Sequence, residues 1–254
     1  MQPKWKKLVR ALHQKKHRLA EGLFLVEGGK SVQELLAGGP GHLPLTVAAV
    51  FCTGEFAQAH PHLLAHVPEG GVVAAEDLAQ VGTLQTNDAA LAVVHLPQPP
   101  GLPLALGPLT LALDDLRDPG NLGAIARIAD WYGIRHVVCS PTTAEWYNPK
   151  VVAASMGSFL RVQPLYTDLA TWLGACGLPV LGAFLVGESI HRITAPARCV
   201  LVVGNEARGI SPALAPLVGQ RVTIPRFGGA ESLNAAMATA ILCDNLRRGP
   251  VADH

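Results

Sequence analysis

The sequence predicts an α/β protein in two parts: a small first domain and a larger second one built on a parallel sheet. Three observations carry this. Short apolar runs alternate with helical stretches along the whole chain, the pattern of strands covered by helices. In the second half those runs are near-continuously apolar, as strands buried on both faces are. Between the halves, residues 97–108 read Pro-Gln-Pro-Pro-Gly-Leu-Pro-Leu-Ala-Leu-Gly-Pro. Five prolines suit neither a helix nor a central strand, so this is an extended, stiff connector dividing residues 1–96 from residues 109–254.

In the first domain a basic helix is expected over residues 4–18. The strand Leu23-Phe24-Leu25-Val26 follows and ends at Glu27-Gly28. A helix near 29–37, a β-rich run at Thr46–Cys52, a helix near 55–65 and a strand near Ala89–Leu96 complete it. The second domain opens with a strand at Leu109–Leu113. Asp118-Pro119 then reads as a helix start, with an acidic cap and a proline in the first turn. A helix runs through Ala124–Tyr132 and Gly133 closes it. Further strands are expected near Val137–Cys139, Val162–Leu165, Val180–Phe184, Val200–Val203 and Arg221–Ile224, with helices between most of them. A last helix spans Ser232–Leu246.

Composition bounds the function. The chain has 254 residues, 49% hydrophobic and 15% charged, enough for a substantial core. Net charge is only +1, but it is segregated. Residues 1–18 carry Lys4, Lys6, Lys7, Arg10, Lys15, Lys16 and Arg18 and no acid, while the rest has thirteen basic and nineteen acidic residues. Such an arm suits phosphates, although a solvated helix face gives the same pattern. The five cysteines are scattered without a Cys-x-x-Cys pair, which predicts reduced thiols in a cytoplasmic protein. No apolar run reaches the length of a membrane span. His60, His62 and His66 lack acidic or cysteine companions, and capping accounts for Asp114, Asp115 and Asp118 as well as a metal does, so no metal is expected.

Three segments carry the chemistry. The first is Asp118-Pro119-Gly120-Asn121-Leu122-Gly123-Ala124-Ile125-Ala126-Arg127. The second, Val203-Gly204-Asn205-Glu206-Ala207-Arg208-Gly209, follows an apolar strand. The third, Ile224-Pro225-Arg226-Phe227-Gly228-Gly229-Ala230-Glu231-Ser232-Leu233-Asn234, is a strand end, a glycine-rich turn and the opening of a helix. Open α/β sheets bind ligands at such strand ends. Asn121 sits at a positive helix end, as an anion site or a cap. Arg127 lies in an apolar stretch where burial without a partner is costly, so it faces a cleft or a partner. The Gly-x-Gly-x-x-Gly fingerprint of dinucleotide enzymes is absent, as is a Gly-x-x-x-x-Gly-Lys-Ser/Thr phosphate loop.

In order and spacing the three segments resemble the motifs of the SpoU (TrmH-type) RNA 2′-O-ribose methyltransferases, of the SPOUT superfamily, over roughly residues 109–247. A weaker resemblance, carried by Phe24-Leu25-Val26-Glu27-Gly28 after a basic helix, links residues 1–95 to the α/β substrate-binding domain of many such enzymes. The resemblance implies a trefoil knot in the second domain and a homodimer. It implies S-adenosylmethionine as methyl donor and RNA as acceptor, ribosomal RNA favoured over tRNA. It places Arg127, Asn121, Glu206, Ser232 and Asn234 at the reacting centre. Leu181, Ala183, Gly204, Glu206, Ile224, Ser232 and Leu233 would hold the donor. A Glu206–Arg127 pair is one way to order the arginine. Asn148 and Ser155, in a further segment resembling the family, are candidate RNA-side groups. Two alternatives stand beside this: a tRNA 2′-O-methyltransferase, and a non-catalytic RNA-binding protein on the same scaffold.

Overall fold

A computed structural model describes residues 1–84, 87, 89–101 and 106–248. Residues 102–105 of the proline-rich connector lie outside the described residues. The chain forms two compact units. One holds Met1–Gln98 with Glu145–Arg161, the other Pro99–Ala144 with Val162–His254.

The first unit begins with α1 (Pro3–Ala11) and α2 (Lys15–Glu21) in place of the single helix expected over 4–18. The break falls where the His13 and Gln14 amides turn back to the carbonyls of Arg10 and Ala11 and the His13 ring bonds the Val81 carbonyl. Then come β1 (Leu23–Glu27), α3 (Gly29–Ala37), β2 (Val47–Cys52), α4 (Gly54–Ala59), α5 (Pro61–Leu64), β3 (Gly70–Val72), α6 (Ala75–Val81) and β4 (Ala90–His95). The expected helix over 55–65 divides at Pro61, which has no N–H to continue the ladder. The sheet order is β1-β4-β2-β3, with β4 antiparallel to both neighbours and β3 parallel to β2. Trp5, Val9 and Leu12, one stripe of α1, pack on Leu25, Phe51, Leu91 and Val93.

Strand β1 alternates, so Phe24 points to the opposite face, where it meets the rings of Tyr147 and Phe159. This is why residues 145–161, which the division at the connector assigns to the second domain, pack in the first unit. Without them one face of β1 would stay wet. Two ion pairs tie the segment down, Arg18 to Glu145 and Arg161 to Glu34. Glu27 is buried and accepts from the amides of Thr83 and Leu84, so the Val26-Glu27-Gly28 signature fixes a neighbouring loop.

The second unit starts with β5 (Leu109–Leu113), α7 (Pro119–Trp131) and β6 (His136–Cys139). Helix α8 (Pro149–Ser155) belongs to the first unit. β7 (Gln163–Tyr166), α9 (Leu169–Ala175), β8 (Val180–Ser189), β9 (Cys199–Val203), β10 (Gln220–Thr223) and α10 (Ala235–Leu246) follow. Six strands run in the order β10-β8-β9-β5-β6-β7, all parallel, as predicted. Ala112, Val138, Val200 and Val202 bury one face with Leu169 and Leu173 of α9. The alternate residues Leu111, Leu113, Val137 and Leu201 are equally buried, so both faces are covered. Helix α7 packs on α10.

Strand β5 is the switch point. From it the chain moves outward through β6 and β7, then returns to β5's other side through β8 and β9. The carboxyl ends of β5 and β9 are thereby neighbours, with Leu113 beside Val203. That is where an open parallel sheet leaves a crevice.

Four of the five cysteines are buried and Cys176 partly so; all are free thiols. Burial pushes the Cys243 thiol up to about 12 and raises Cys139 further still. Among the described residues no helix is long and apolar enough to cross a membrane.

Candidate active site

Asp118 caps α7 by accepting from the Asn121 amide at 2.7 Å, and Pro119 stands in the first turn. The helix therefore starts at Pro119, where the acidic cap and first-turn proline put it. This places Asn121 at the helix entrance with its side chain free to cross the crevice. Its Nδ2 donates to Glu206 Oε1 at 3.1 Å. Its Oδ1 accepts from Asn234 Nδ2 at 2.8 Å. Asn234 Oδ1 in turn caps α10, accepting from the amides of Ala236 and Met237. Glu206 also receives the backbone N–H of Asp118 at 3.3 Å, so its carboxylate lies against the positive end of α7. One run of hydrogen bonds, Glu206–Asn121–Asn234, thus joins all three sequence segments.

The second loop is held in place by close approach. Gly204 sits so near the Gly209–Ile210 peptide that a Cβ would overlap the Gly209 carbonyl carbon. Asn205 and Gly209 bridge through paired backbone bonds, and the side-chain oxygen of Asn205 accepts from the amides of Ala207 and Arg208. Its amide nitrogen reaches the Asp115 carbonyl at 2.7 Å, and buried Asp114 accepts from the Ser211 amide at 2.7 Å. Of the three acids read as caps, only Asp118 is one. Asp114 and Asp115 tie the first loop to the second. Among the described residues no group of histidine, cysteine or acidic side chains has metal-binding geometry.

The other candidates fall as follows. Arg127 is exposed on α7 and makes no hydrogen bond or ion pair among the described residues. Glu206 bonds Asn121 and not Arg127, so the anticipated Glu206–Arg127 pair is replaced. Ser232 and Leu233 are exposed in the turn before α10, whose cap is Asn234 and not Ser232. Leu181 is buried on β8, pairing with Leu201 of β9 on one side and Gln220 of β10 on the other, with Ala183 two residues on. Ile224 follows β10 directly, so the donor candidates Leu181, Ala183, Gly204 and Ile224 lie on the three strands on one side of the switch point. At Gly228 and Gly229 an added Cβ would meet nothing within 4 Å, leaving bare backbone open to an approaching group.

Arg18 is corrected. It is 1% exposed, its guanidinium donating to Glu145 and to the Leu12 carbonyl, and cannot reach phosphate. Lys6 is partly buried and pairs with Asp77. Lys4, Lys7, Arg10, Lys15 and Lys16 are exposed. Ser155 is fully buried, bonded to the Val152 carbonyl, and Asn148 caps α8.

Two residues were given no role by the sequence reading, Arg117 and Arg208, and a third, Asp115, was read as a cap. The carboxylate of Asp115 accepts from Arg117 Nε at 2.9 Å and from Arg208. All three lie inside or beside the quoted motifs, but only folding shows that they meet.

Fold and site define an α/β protein whose three motif loops meet at the carboxyl edge of a parallel sheet, joined by a polar bridge. Comparison with known proteins gives the family. The SpoU rRNA Methylase family matches residues 108–244, and an MRM3-like substrate binding domain matches residues 4–92. The 23S rRNA (guanosine(2553)-2′-O)-methyltransferase of Bacillus subtilis (strain 168) is 32% identical over 96% of this chain and 94% of its own. A TrmH-family structure from Porphyromonas gingivalis superposes with a TM-score of 0.82 at 38% identity, covering 98% of both chains. An AdoMet-bound rRNA methyltransferase structure from Sinorhizobium meliloti gives 0.84 at 28% identity, covering 98% of this chain and 96% of that one. The chain belongs to the SpoU rRNA methylase family.

Proposed function

We propose that the protein transfers a methyl group from S-adenosylmethionine to a ribose 2′-hydroxyl of ribosomal RNA. The observation that carries this is the Glu206–Asn121–Asn234 bridge, which assembles the family's three motifs at the sheet's carboxyl edge. The donor brings a methyl carbon already activated on a sulfonium. The chain's own task is to hold the 2′-oxygen in line with that carbon and to stabilise charge growing on the oxygen. Leu181–Ala183 of β8 and Gly204 and Ile224 just beyond β9 and β10, with the open Gly228–Gly229 backbone, suit the donor's adenosine. Asn121 and Glu206 fix the entrance of α7.

Arg127, exposed and without a partner among the described residues, is the group for the ribose oxygen or its phosphate. A guanidinium keeps its proton at any ordinary pH, so it serves as an electrostatic clamp on the forming alkoxide. The hydroxyl proton leaves to solvent.

Residues 1–96 form an RNA-substrate-binding domain, joined through the 97–108 connector to a transferase domain over 109–254. The latter carries the trefoil knot of SPOUT enzymes. Lys4, Lys7, Arg10, Lys15 and Lys16 bind phosphates. The enzyme is a cytoplasmic homodimer, and exposed Trp131 and Met237, on the mutually packed α7 and α10, are the apolar groups such an interface would cover.

The test is incubation with labelled S-adenosylmethionine and separate ribosomal RNA and tRNA, followed by mapping of 2′-O-methyl nucleotides. Label at a ribosomal RNA ribose is expected. Arg127→Ala should lower kcat about 100- to 1,000-fold with donor affinity unchanged. Normal methylation by that variant would remove Arg127 from the mechanism.

A further inference from the structure

The cluster of Asp115, Arg117 and Arg208 is unused by the mechanism above. Asp115 has a left-handed backbone, φ 57°, which non-glycine residues adopt rarely. The conformation is held from both sides: its amide donates to Ser140 Oγ at 2.9 Å, and its carbonyl accepts from Asn205 Nδ2 at 2.7 Å. The carboxylate is therefore fixed, and its two oxygens take one arginine each, Oδ1 from Arg117 and Oδ2 from Arg208.

The arginine side chains are 63% and 67% exposed while that of Asp115 is 15% exposed, so the acid sits beneath two guanidiniums that face solvent. Each guanidinium has five N–H donors and gives one nitrogen to Asp115. Two outward-facing guanidiniums thus stand over one carboxylate. The other acids of this corner are occupied in turn: Glu206 by the Arg117 and Asp118 amides and by Asn121, Asp118 by the Asn121 amide, and Asp114 by the Ser211 amide. A surface ion pair alone contributes little to stability, which is a weak reason to hold a strained backbone and two arginines in register.

We propose that Arg117 and Arg208, aimed by Asp115, form a two-pronged receptor for a phosphodiester of the RNA substrate beside the target ribose. Guanidinium forks match the paired anionic oxygens of a phosphodiester. The loops that carry them also carry Asn121 and Glu206, so the captured phosphate sets the register of the RNA at the reacting centre. This rests on the RNA methyl-transfer reading above. Asp115 is a positioning residue here and the arginines are binding residues.

The test uses the full chain, an in vitro transcript of 23S rRNA and labelled S-adenosylmethionine at several KCl concentrations. R117A/R208A should raise the RNA KM about tenfold or more. It should also flatten the dependence of log KM on log salt by roughly 0.7 for each phosphate no longer neutralised. R117K/R208K keeps the charge without the fork and should recover only part of the affinity. D115N should raise the KM severalfold even though it makes the corner more positive. An unchanged KM and salt slope in R117A/R208A overturns the proposal. So does a D115N variant that binds RNA more tightly, because the arginines would then act as free charges. A tenfold weaker donor affinity in R117A/R208A, with RNA binding intact, also overturns it and would assign the prongs to the donor's carboxylate. Filter binding of the same transcript reads the prongs without turnover. A wild-type protein that transfers no methyl group thus overturns the parent reading, while the binding difference still decides this one.

Discussion

Asn121 uses both ends of its amide inside the protein, donating to Glu206 and accepting from Asn234. A shorter or charged side chain cannot do both. Asn121→Ala should cost about 1 kcal/mol of stability, since these bonds are solvent-exposed, but lower kcat by about 100-fold through loss of register. Asn121→Asp should do worse in activity, because it sets a second carboxylate against Glu206. Thermal unfolding and single-turnover methylation separate the two effects. These residues stand out in the sequence as short polar side chains at family spacing, although each also reads as a helix cap, and Asn234 is one. Arg18 does not stand out. A charge run says nothing about which of its members turns inward, and Arg18 follows the break between two helices, where the stripe of the first no longer applies. Breaking its pair leaves Glu145 partly buried and alone. Arg18→Ala should therefore destabilise the fold by about 3 kcal/mol, read by denaturant titration, with no loss of RNA affinity beyond that.

Among the elements, the parallel strands of the second unit were the most legible, because burial on both faces leaves long apolar runs. Strand β3 and helix α6 were invisible. The strand is fully exposed and begins with two glycines, of which Gly70 is required because a side chain would overlap the Val50 carbonyl. The helix is too short for its period to stand out. The last helix begins later than expected for a related reason: Ser232 and Asn234 are both good caps, and only the bridge to Asn121 selects the second. Gly204 gives a sharper prediction. Gly204→Ala forces β9's end away from the Gly209–Ile210 peptide and with it Glu206. Donor binding, measured by calorimetry, should weaken by at least about tenfold, whereas Gly228→Ala, with open space around it, should leave the melting temperature unchanged.

Across the whole molecule, strand alternation and the proline-rich connector announce two α/β parts, but neither the strand order nor the destination of residues 145–161 follows from them. Both depend on pairings between segments far apart in sequence, which local pattern does not encode. Charge distribution is the whole-molecule property that carries a prediction. Replacing Lys4, Lys7, Arg10, Lys15 and Lys16 together by alanine should weaken rRNA binding most at low salt. The salt slope should fall by about 0.7 for each phosphate these side chains neutralise, and the rate of methyl transfer at saturating RNA should stay intact. A drop in that saturated rate would mean the basic helices order the reacting centre and do not merely recruit RNA.

The bridge from Glu206 through Asn121 to Asn234 spans 85 and then 113 residues of chain. Its last member caps α10 and leaves the ribosome after every strand of the sheet. A nascent chain can complete the sheet through β10 and still possess no register at its reacting centre. The bridge therefore acts as a completion signal: until α10 has been synthesised and has docked on α7, the protein is a folded scaffold without an enzyme's geometry. Methylating competence should appear as a late step in synthesis, after the core has become resistant to protease.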